Sequence, residues 1–262
     1  MINLDKINSI LYESYITGNT MKGYHSIPCS ICKKFLEDNP ELDNVIRTHF
    51  HGSDFNICER KLFWNMLRGN KLSFSDEPFL NDGHLHEEMI LNSIELDLPE
   101  NYKLLIFKNG NEEIRDVLGF QLITHMDGVL IDKEKDIMIG LECKAVKDRN
   151  FKQYSEEDIK DINSIWYGQI QSYMFSNKID LFYLIIKNRD TSKLHIPIRI
   201  EKDLDFILDR LNSLKATKDC VTESIRSGFE INIPDRRYLD KRNIECNFCP
   251  FKNECWNSQG EL

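Results

Sequence analysis

Three residues within one short stretch have the types and spacing of a hydrolytic centre. In the run GFQLITHMDGVLIDKEKDIMIGLECKAVKDR (119–149), Asp127 is followed after fourteen residues by Glu142-x-Lys144. Two β-like runs, Phe120 to Ile131 and Ile137 to Val146, carry these residues. Residues i and i+2 of a strand share a face, so Glu142 and Lys144 point together and Cys143 points the other way. A turn around Asp132–Asp136 pairs the two runs and brings Asp127 beside Glu142. Two carboxylates and an ammonium at one spot suit a hard divalent cation with oxygen ligands, and with it phosphodiester chemistry. The competing reading is a set of solvated charges at strand ends, since Glu-x-Lys is a common tripeptide.

The cysteines form a second chemical group. Cys246-x2-Cys249-x5-Cys255 places three soft ligands within ten residues, and Cys58, nearly two hundred residues upstream, is a natural fourth. Four thiolates hold either zinc or a four-iron cluster. Spacing alone does not decide, although this looser arrangement leans away from a zinc ribbon and towards the cluster. A third group lies near the N-terminus. Cys29-x2-Cys32 with His49 and His51 offers two thiolates and two imidazoles to one zinc ion. His-x-His is tighter than the usual finger spacing, and the alternative is two ordinary thiols and two polar histidines. Cys143 and Cys220 sit in apolar-looking elements and read as packed thiols.

The chain has 262 residues, eight of them cysteine, and a net charge of −9. That length supports one sizeable core, or one domain with a small appendage. An acidic total excludes a basic nucleic-acid coat and leaves a local positive groove as the means of holding DNA. No signal peptide and no membrane-spanning stretch is apparent, so the expectation is an intracellular, cytoplasmic protein without membrane contact. Cysteines in such a compartment are expected to be free or metal-bound.

The positioning elements follow from local patterns. Ser53 or Asp54 caps a helix through FNICERKLFWNMLRG, ended by Gly69. A loop over 71–82 precedes a helix from Gly83, with Leu85, Met89 and Leu96 among its apolar positions and His86 at the margin of that face. Residues 102–108 and 112–118 read as strands joined by an Asn109-Gly110 hairpin turn. A helix over 155–177 starts with a capping box of Ser155 and Asp158. Later in it, Gln169 and Tyr173 lie four apart on one face. Strands 181–188 and 194–200 precede a long helix from Glu201 to about Ser227, with apolar spacing at Leu204, Ile207, Leu208 and Leu211. The order predicts an α/β fold, a mixed central sheet flanked by helices. Its parts are an N-terminal extension (1–52), a helical segment carrying Cys58 (53–82), the core (83–200), and a C-terminal helix and cysteine tail (201–262).

These residues together resemble the PD-(D/E)XK nuclease superfamily, in its RecB-like branch. The resemblance is carried by Asp127 with Glu142-x-Lys144, by the preceding helix with GHLHE (Gly83 to Glu87), and by the helix Tyr167-Gly-Gln-Ile-Gln-Ser-Tyr173, which looks like that branch's Gln-x3-Tyr motif. An early cysteine with a terminal Cys-x2-Cys-x5-Cys is similar to the iron–sulfur members, among them the CRISPR-associated exonuclease and the AddB nuclease domain. The resemblance covers roughly residues 53–256. Two positions depart from the pattern: the "PD" pair reads Met126-Asp127, and Cys143 is the middle residue of Glu-x-Lys. The extension with Cys29-x2-Cys32 lies outside it.

The resemblance implies a restriction-endonuclease-like fold whose N-terminal helix and C-terminal tail are joined by a 4Fe–4S cluster. It implies Mn²⁺ or Mg²⁺ held by His86, Asp127, Glu142 and the Cys143 carbonyl. Lys144 would then orient or deprotonate the attacking water, and Gln169 and Tyr173 would position the scissile strand. Arg60, Lys61 and Arg68, with Arg236 and Arg237 before Cys246, would wall a path for single-stranded DNA; as plain residues they equally read as a solvated face. The expected function is a DNA exonuclease of recombination, repair or phage DNA processing. The alternatives are a CRISPR spacer-processing nuclease working with integrase proteins, and a zinc-stabilised non-catalytic module that binds DNA or protein.

Overall fold

The computed structural model describes residues 49–68, 77–107, 112–155, 158–227, 233–234, 244–247 and 249–257. Cys29, Cys32, Arg236 and Arg237 lie outside the described residues, as does the side chain of Arg68. Among the described residues no helix is long and apolar enough to cross a membrane.

The architecture is mixed α/β, with helices against two sheets. The larger sheet is built on β6 (Ile137–Val146), the longest strand. β6 pairs antiparallel with β5 (Gly128–Asp132) and parallel with β7 (Leu181–Asn188). β2 (Tyr102–Ile106) and β8 (Ile198–Glu201) complete the order β2-β5-β6-β7-β8. The smaller sheet has the order β1-β4-β3, from β1 (Phe50–His51), β3 (Glu112–Val117) and β4 (Phe120–His125). Parallel pairing of β6 and β7 requires a crossover. It contains the short helices α3 (Asp148–Phe151) and α4 (Ile159–Ile162) and then α5 (Ser164–Asn177).

Three apolar clusters hold the layers together. α2 (Glu77–Leu96) seats Ile90 and Leu91 with Leu104, Leu141, Cys143 and Ile185 of the large sheet. α5 contributes Ile170, Tyr173 and Met174 to a cluster with Phe182, Leu184 and Ile186. α1 (Glu59–Arg68) and α6 (Leu204–Ser227) enclose Phe63, Trp64, Ile207, Leu211 and Leu214 with Phe50, Phe120 and Leu122 of the small sheet. The cysteine tail contributes α7 (Ile244–Asn247) and α8 (Lys252–Asn257), and Phe251 between them joins this third cluster.

Several local expectations are corrected by tertiary pairing. The run from Phe120 to Ile131 is two strands in different sheets, with Met126–Asp127 between them. The 102–108 and 112–118 strands form, but not as a mutual hairpin: β2 pairs with β5 and β3 with β4. Asn109 and Gly110 lie outside the described residues; β2 buries Leu104 beneath α2 in the larger sheet. α2 begins six residues before Gly83, and the face it buries is not the expected one. Leu85 and Met89 are 61% and 52% exposed, whereas Ile90 and Leu91 are buried. In α6 likewise, Leu204 and Leu208 are exposed and the buried stripe runs through Ile207, Leu211, Leu214 and Val221.

Helix boundaries move too. α1 starts at Glu59, and Cys58 precedes it, accepting the first helical bond from Leu62 N. The segment 155–177 is broken at Asn163, which ends α4 and caps α5 by accepting from Trp166 N. Asp158 itself caps α4 through Lys160 N, and Ser155 is the last residue of the 3₁₀ turn Lys152–Ser155. Only residues 198–201 of the last strand pair as a ladder, with a lone bridge from Leu194 to Lys187.

Close packing at the sheet centre needs a glycine. A Cβ added at Gly140 would lie 2.0 Å from the buried ring of Phe182 on β7. Gly140→Ala is therefore expected to destabilise the fold by about 1–3 kcal/mol through overpacking. Urea unfolding should show the loss, and adding Phe182→Leu should cost less than the two single effects summed.

Candidate active site

The register of the large sheet assembles the candidate centre. Gly128 lies opposite Leu141, so the preceding Asp127 arrives beside the amide of Cys143. Asp127 Oδ2 accepts a hydrogen bond from Cys143 N at 2.6 Å. Glu142 and Lys144 project from the other face of β6 than Cys143, whose thiol packs against α2. Lys144 Nζ donates to Glu142 Oε1. The second oxygen, Glu142 Oε2, is buried and has no hydrogen-bond partner.

That arrangement is electrostatically loaded. Burial, then the neighbouring charge of Asp127, pushes Glu142 up to about 8 despite Lys144. Burial raises Asp127 to about 7, against the pull of Lys144 and with a further push from Glu87. Lys144 moves the opposite way from a general base. Burial disfavours its charge, but Glu142 and Asp127 outweigh it and hold the ammonium up to about 12. Lys144 Nζ also lies 6.0 Å from the ring centroid of Trp166, which stacks on Tyr154.

α5 supplies the opposite wall. Gln169 Nε2 donates to the Tyr173 hydroxyl at 2.5 Å. Tyr173 is buried, and its phenol is pushed well above its ordinary value by burial and by the charges of Glu142, Asp127 and Glu87. The backbone of Gly52 presses on it, for a Cβ there would stand 2.5 Å from Tyr173 Cε1.

α2 contributes differently from the sequence expectation. His86 Nε2 lies 3.6 Å from Asp82 Oδ1, and His86 Nδ1 lies 3.4 Å from Lys187 Nζ. Glu87, one residue on, is the α2 carboxylate that adjoins Asp127, sharing a hydrogen bond with it. Glu87 and Trp166 are site residues that sequence reasoning missed. The available signal for Glu87 was helical: it lies four residues before the buried Leu91, on the face turned to the sheet.

A donor set for a cation is present in kind. Among the described residues, no three or more His, Cys, Asp or Glu are gathered closely enough to hold one metal ion as they stand. The buried Glu142 Oε2, without a hydrogen-bond partner and beside a second carboxylate, nevertheless fits a divalent cation, since hard cations take carboxylate oxygens.

The cysteines meet elsewhere. Cys58, Cys246, Cys249 and Cys255 all line one cavity of about 290 Å³, together with Lys61 and Trp64. Burial, then the neighbouring Cys58, Cys249 and Cys255, raises the Cys246 thiol. Of the basic residues, Lys61 borders this cavity, whereas Arg60 is buried, donates to Pro234 O at 2.7 Å and lies over Trp64. His49 and His51 lie together at the start of the small sheet, their Nε2 atoms 3.1 Å apart.

No family model matches the chain, and no curated protein matches it. Solved structures similar to it include SSO0001, at 15% identity over 87% of this chain and 98% of that one, with a TM-score of 0.47. Another is the alkaline exonuclease LHK-Exo of Laribacter hongkongensis in complex with dAMP, at 10% identity over 69% and 91%, TM-score 0.49. A phage-related exonuclease from Haemophilus somnus 129PT aligns at 14% identity over 65% and 81%, TM-score 0.46.

The raised carboxyl groups make the fold pH-sensitive. Both Asp127 and Glu142 bind protons more tightly in the folded chain than when unfolded. Their contribution is complete below the ordinary carboxyl range and is lost as pH rises through about 7 to 8. In chelator-containing buffer, stability should fall between about pH 5 and pH 9, by on the order of a few kcal/mol. Glu142→Gln should flatten that slope in urea unfolding, and added Mn²⁺ should restore wild-type stability at high pH but not that of the variant.

Proposed function

We propose that the chain is a divalent-metal-dependent nuclease that hydrolyses DNA phosphodiester bonds, working from strand ends and preferring single strands. The observation that carries this reading is the buried, unpartnered Glu142 Oε2 between Asp127 and Lys144. Asp127, Glu142 and the Cys143 carbonyl would hold Mn²⁺ or Mg²⁺, with His86 or Glu87 of α2 as a further ligand. When bound, such a cation offsets phosphate charge and lowers the pKa of the attacking water.

The chain's own residues supply the rest. Lys144, held as an ammonium, donates hydrogen bonds to the attacking water or to a phosphate oxygen and offsets charge developing in the transition state. Its raised pKa favours this role over proton abstraction. Asp127, fixed by the Cys143 amide, stays in place before substrate arrives. The Gln169–Tyr173 pair presents a polar edge from α5 and positions the scissile strand. Burial at this wall excludes bulk water, so each charge acts in a medium of low dielectric. In-line attack leaves a 5′-phosphate.

Glu142→Gln and Lys144→Ala are each expected to lower the cleavage rate of end-labelled DNA about 10²- to 10⁴-fold with Mn²⁺ or Mg²⁺, with circular dichroism unchanged. Wild-type activity in Glu142→Gln would overturn the assignment.

We also propose that Cys58, Cys246, Cys249 and Cys255 hold a 4Fe–4S cluster. The four border one cavity, and a Cys-x2-Cys with two dispersed cysteines is looser than the paired knuckles of a zinc ribbon. The cluster's place between α1 and the tail staples distant parts of the chain, and thiolate binding lowers the raised thiol pKa values. Protein prepared without oxygen should be brown, and Cys249→Ser should lose both the visible absorbance and several degrees of Tm. A colourless protein with stoichiometric zinc bound by four sulfurs would defeat the cluster and restore the zinc alternative.

A further inference from the structure

No step of the proposed hydrolysis uses Trp166, although it borders the candidate centre. It lies in the first turn of α5, three residues before Gln169 and seven before Tyr173, so the three share one helix face. Three residues of helix rise by about 4.5 Å. The indole therefore continues the wall that Gln169 and Tyr173 begin. Its ring centroid is 6.0 Å from Lys144 Nζ. That is the outer limit of a cation–π contact, so the ammonium adjoins the ring without clamping it. A nucleotide whose phosphate meets Lys144 has its base within reach of the indole.

The ring is held as a platform. One face stacks on Tyr154, with centroids 5.6 Å apart and planes 13° from parallel. Tyr154 is buried, whereas Trp166 is half-buried and packs only partly against the core cluster. The open part of the indole is thus turned away from Tyr154. The backbone beneath it is fixed as well. Trp166 N donates to Asn163 Oδ1 at 3.2 Å, and Asn56 Nδ2 donates to Ser164 O at 2.8 Å. Gly168 lies so close to Asn56 that an added Cβ would stand 2.3 Å from the Asn56 Cβ. A ring already ordered in this way loses little freedom when a ligand covers it.

A rigid aromatic face beside an ammonium assigned to phosphate suits a nucleobase, since every base has a π face to stack. Along a duplex, bases follow one another at about 3.4 Å. A base inside the duplex has no face to offer, whereas a terminal or unpaired base has one. We propose that Trp166 stacks on the base of the nucleotide adjoining the scissile phosphate, and so favours strands in which that base is unpaired or terminal. The substrate in this proposal rests on the nuclease reading; the stacking contact rests on the geometry of Trp166, Tyr154 and Lys144.

The test is binding of short, labelled single strands to the full chain, with Ca²⁺ in place of Mn²⁺ and fluorescence anisotropy as the readout. One strand is intact, and a set carries a single abasic position moved stepwise from either end. Wild-type protein should lose about 5- to 150-fold in affinity at one abasic position. Trp166→Leu keeps an apolar cover on Tyr154 without a π face. It should bind the intact strand more weakly by a similar factor and be indifferent to that abasic position, while Trp166→Phe should keep most of the affinity. A covalently closed circular duplex should bind wild type and Trp166→Leu alike, and a difference there overturns the selection of free bases. No binding by wild type, or binding that no abasic position alters, overturns the proposal even if the variants do not fold. So does a Trp166→Leu protein that binds like wild type, or that loses affinity equally for intact and abasic strands. Cleavage with Mn²⁺ is scored separately. Wild type that shows the abasic pattern but cuts nothing keeps the stacking and defeats the nuclease reading, whereas wild type that cuts DNA and ignores abasic positions defeats the stacking alone.

Discussion

The antiparallel register between β5 and β6 is the constraint on which the rest depends. Gly128 opposite Leu141 sets Asp127 against the Cys143 amide and fixes which face of β6 carries Glu142. A slip of one residue would turn Glu142 and Lys144 to the α2 face and put Cys143 in their place. Apolar packing locks the register. Leu141 and Cys143 are buried with Ile90 and Leu91 on one side, and α5 covers the other. The candidate centre is thus a by-product of sheet pairing, with its charges held by backbone placement more than by attraction to each other.

Holding them there opposes the fold. Two buried carboxyl groups shifted to about 7 and about 8 represent stability forgone at neutral pH, and only one lysine compensates them. The unpartnered Glu142 Oε2 marks where compensation is incomplete. Such strain is common where a structure is organised for a ligand instead of for itself.

Much of the fold and site was legible in the sequence because the signals were local. β6 and β7 have the bounds their apolar runs predict, and Asp127, Glu142 and Lys144 are gathered by a single turn. Gln169 and Tyr173 follow from helical spacing alone. The convergence of Cys58 with the terminal cysteines was expected from ligand number. What the sequence hid is decided by which partner an element finds. Leu85 and Met89 have the spacing of a core stripe, yet α2 buries Ile90 and Leu91, since the sheet accepts that face. The same rotation turns Glu87 towards Asp127 and gives His86 the company of Asp82 and Lys187. Asn109-Gly110 has hairpin chemistry, but its two strands belong to different sheets, and no local rule reports that.

Asp127 occupies the link between β4 of the small sheet and β5 of the large one, with its own carbonyl bonded to Phe107 N beyond β2. One carboxylate therefore belongs to the joint between the sheets, while Glu142 belongs to the middle of one of them. Asp127 is held on the large-sheet side through Cys143 N and Phe107 N, while the chain on its other side runs directly into β4. The joint is thereby tied to the candidate centre: a shift of β4 against β5 is felt at Asp127 before it can reach Glu142.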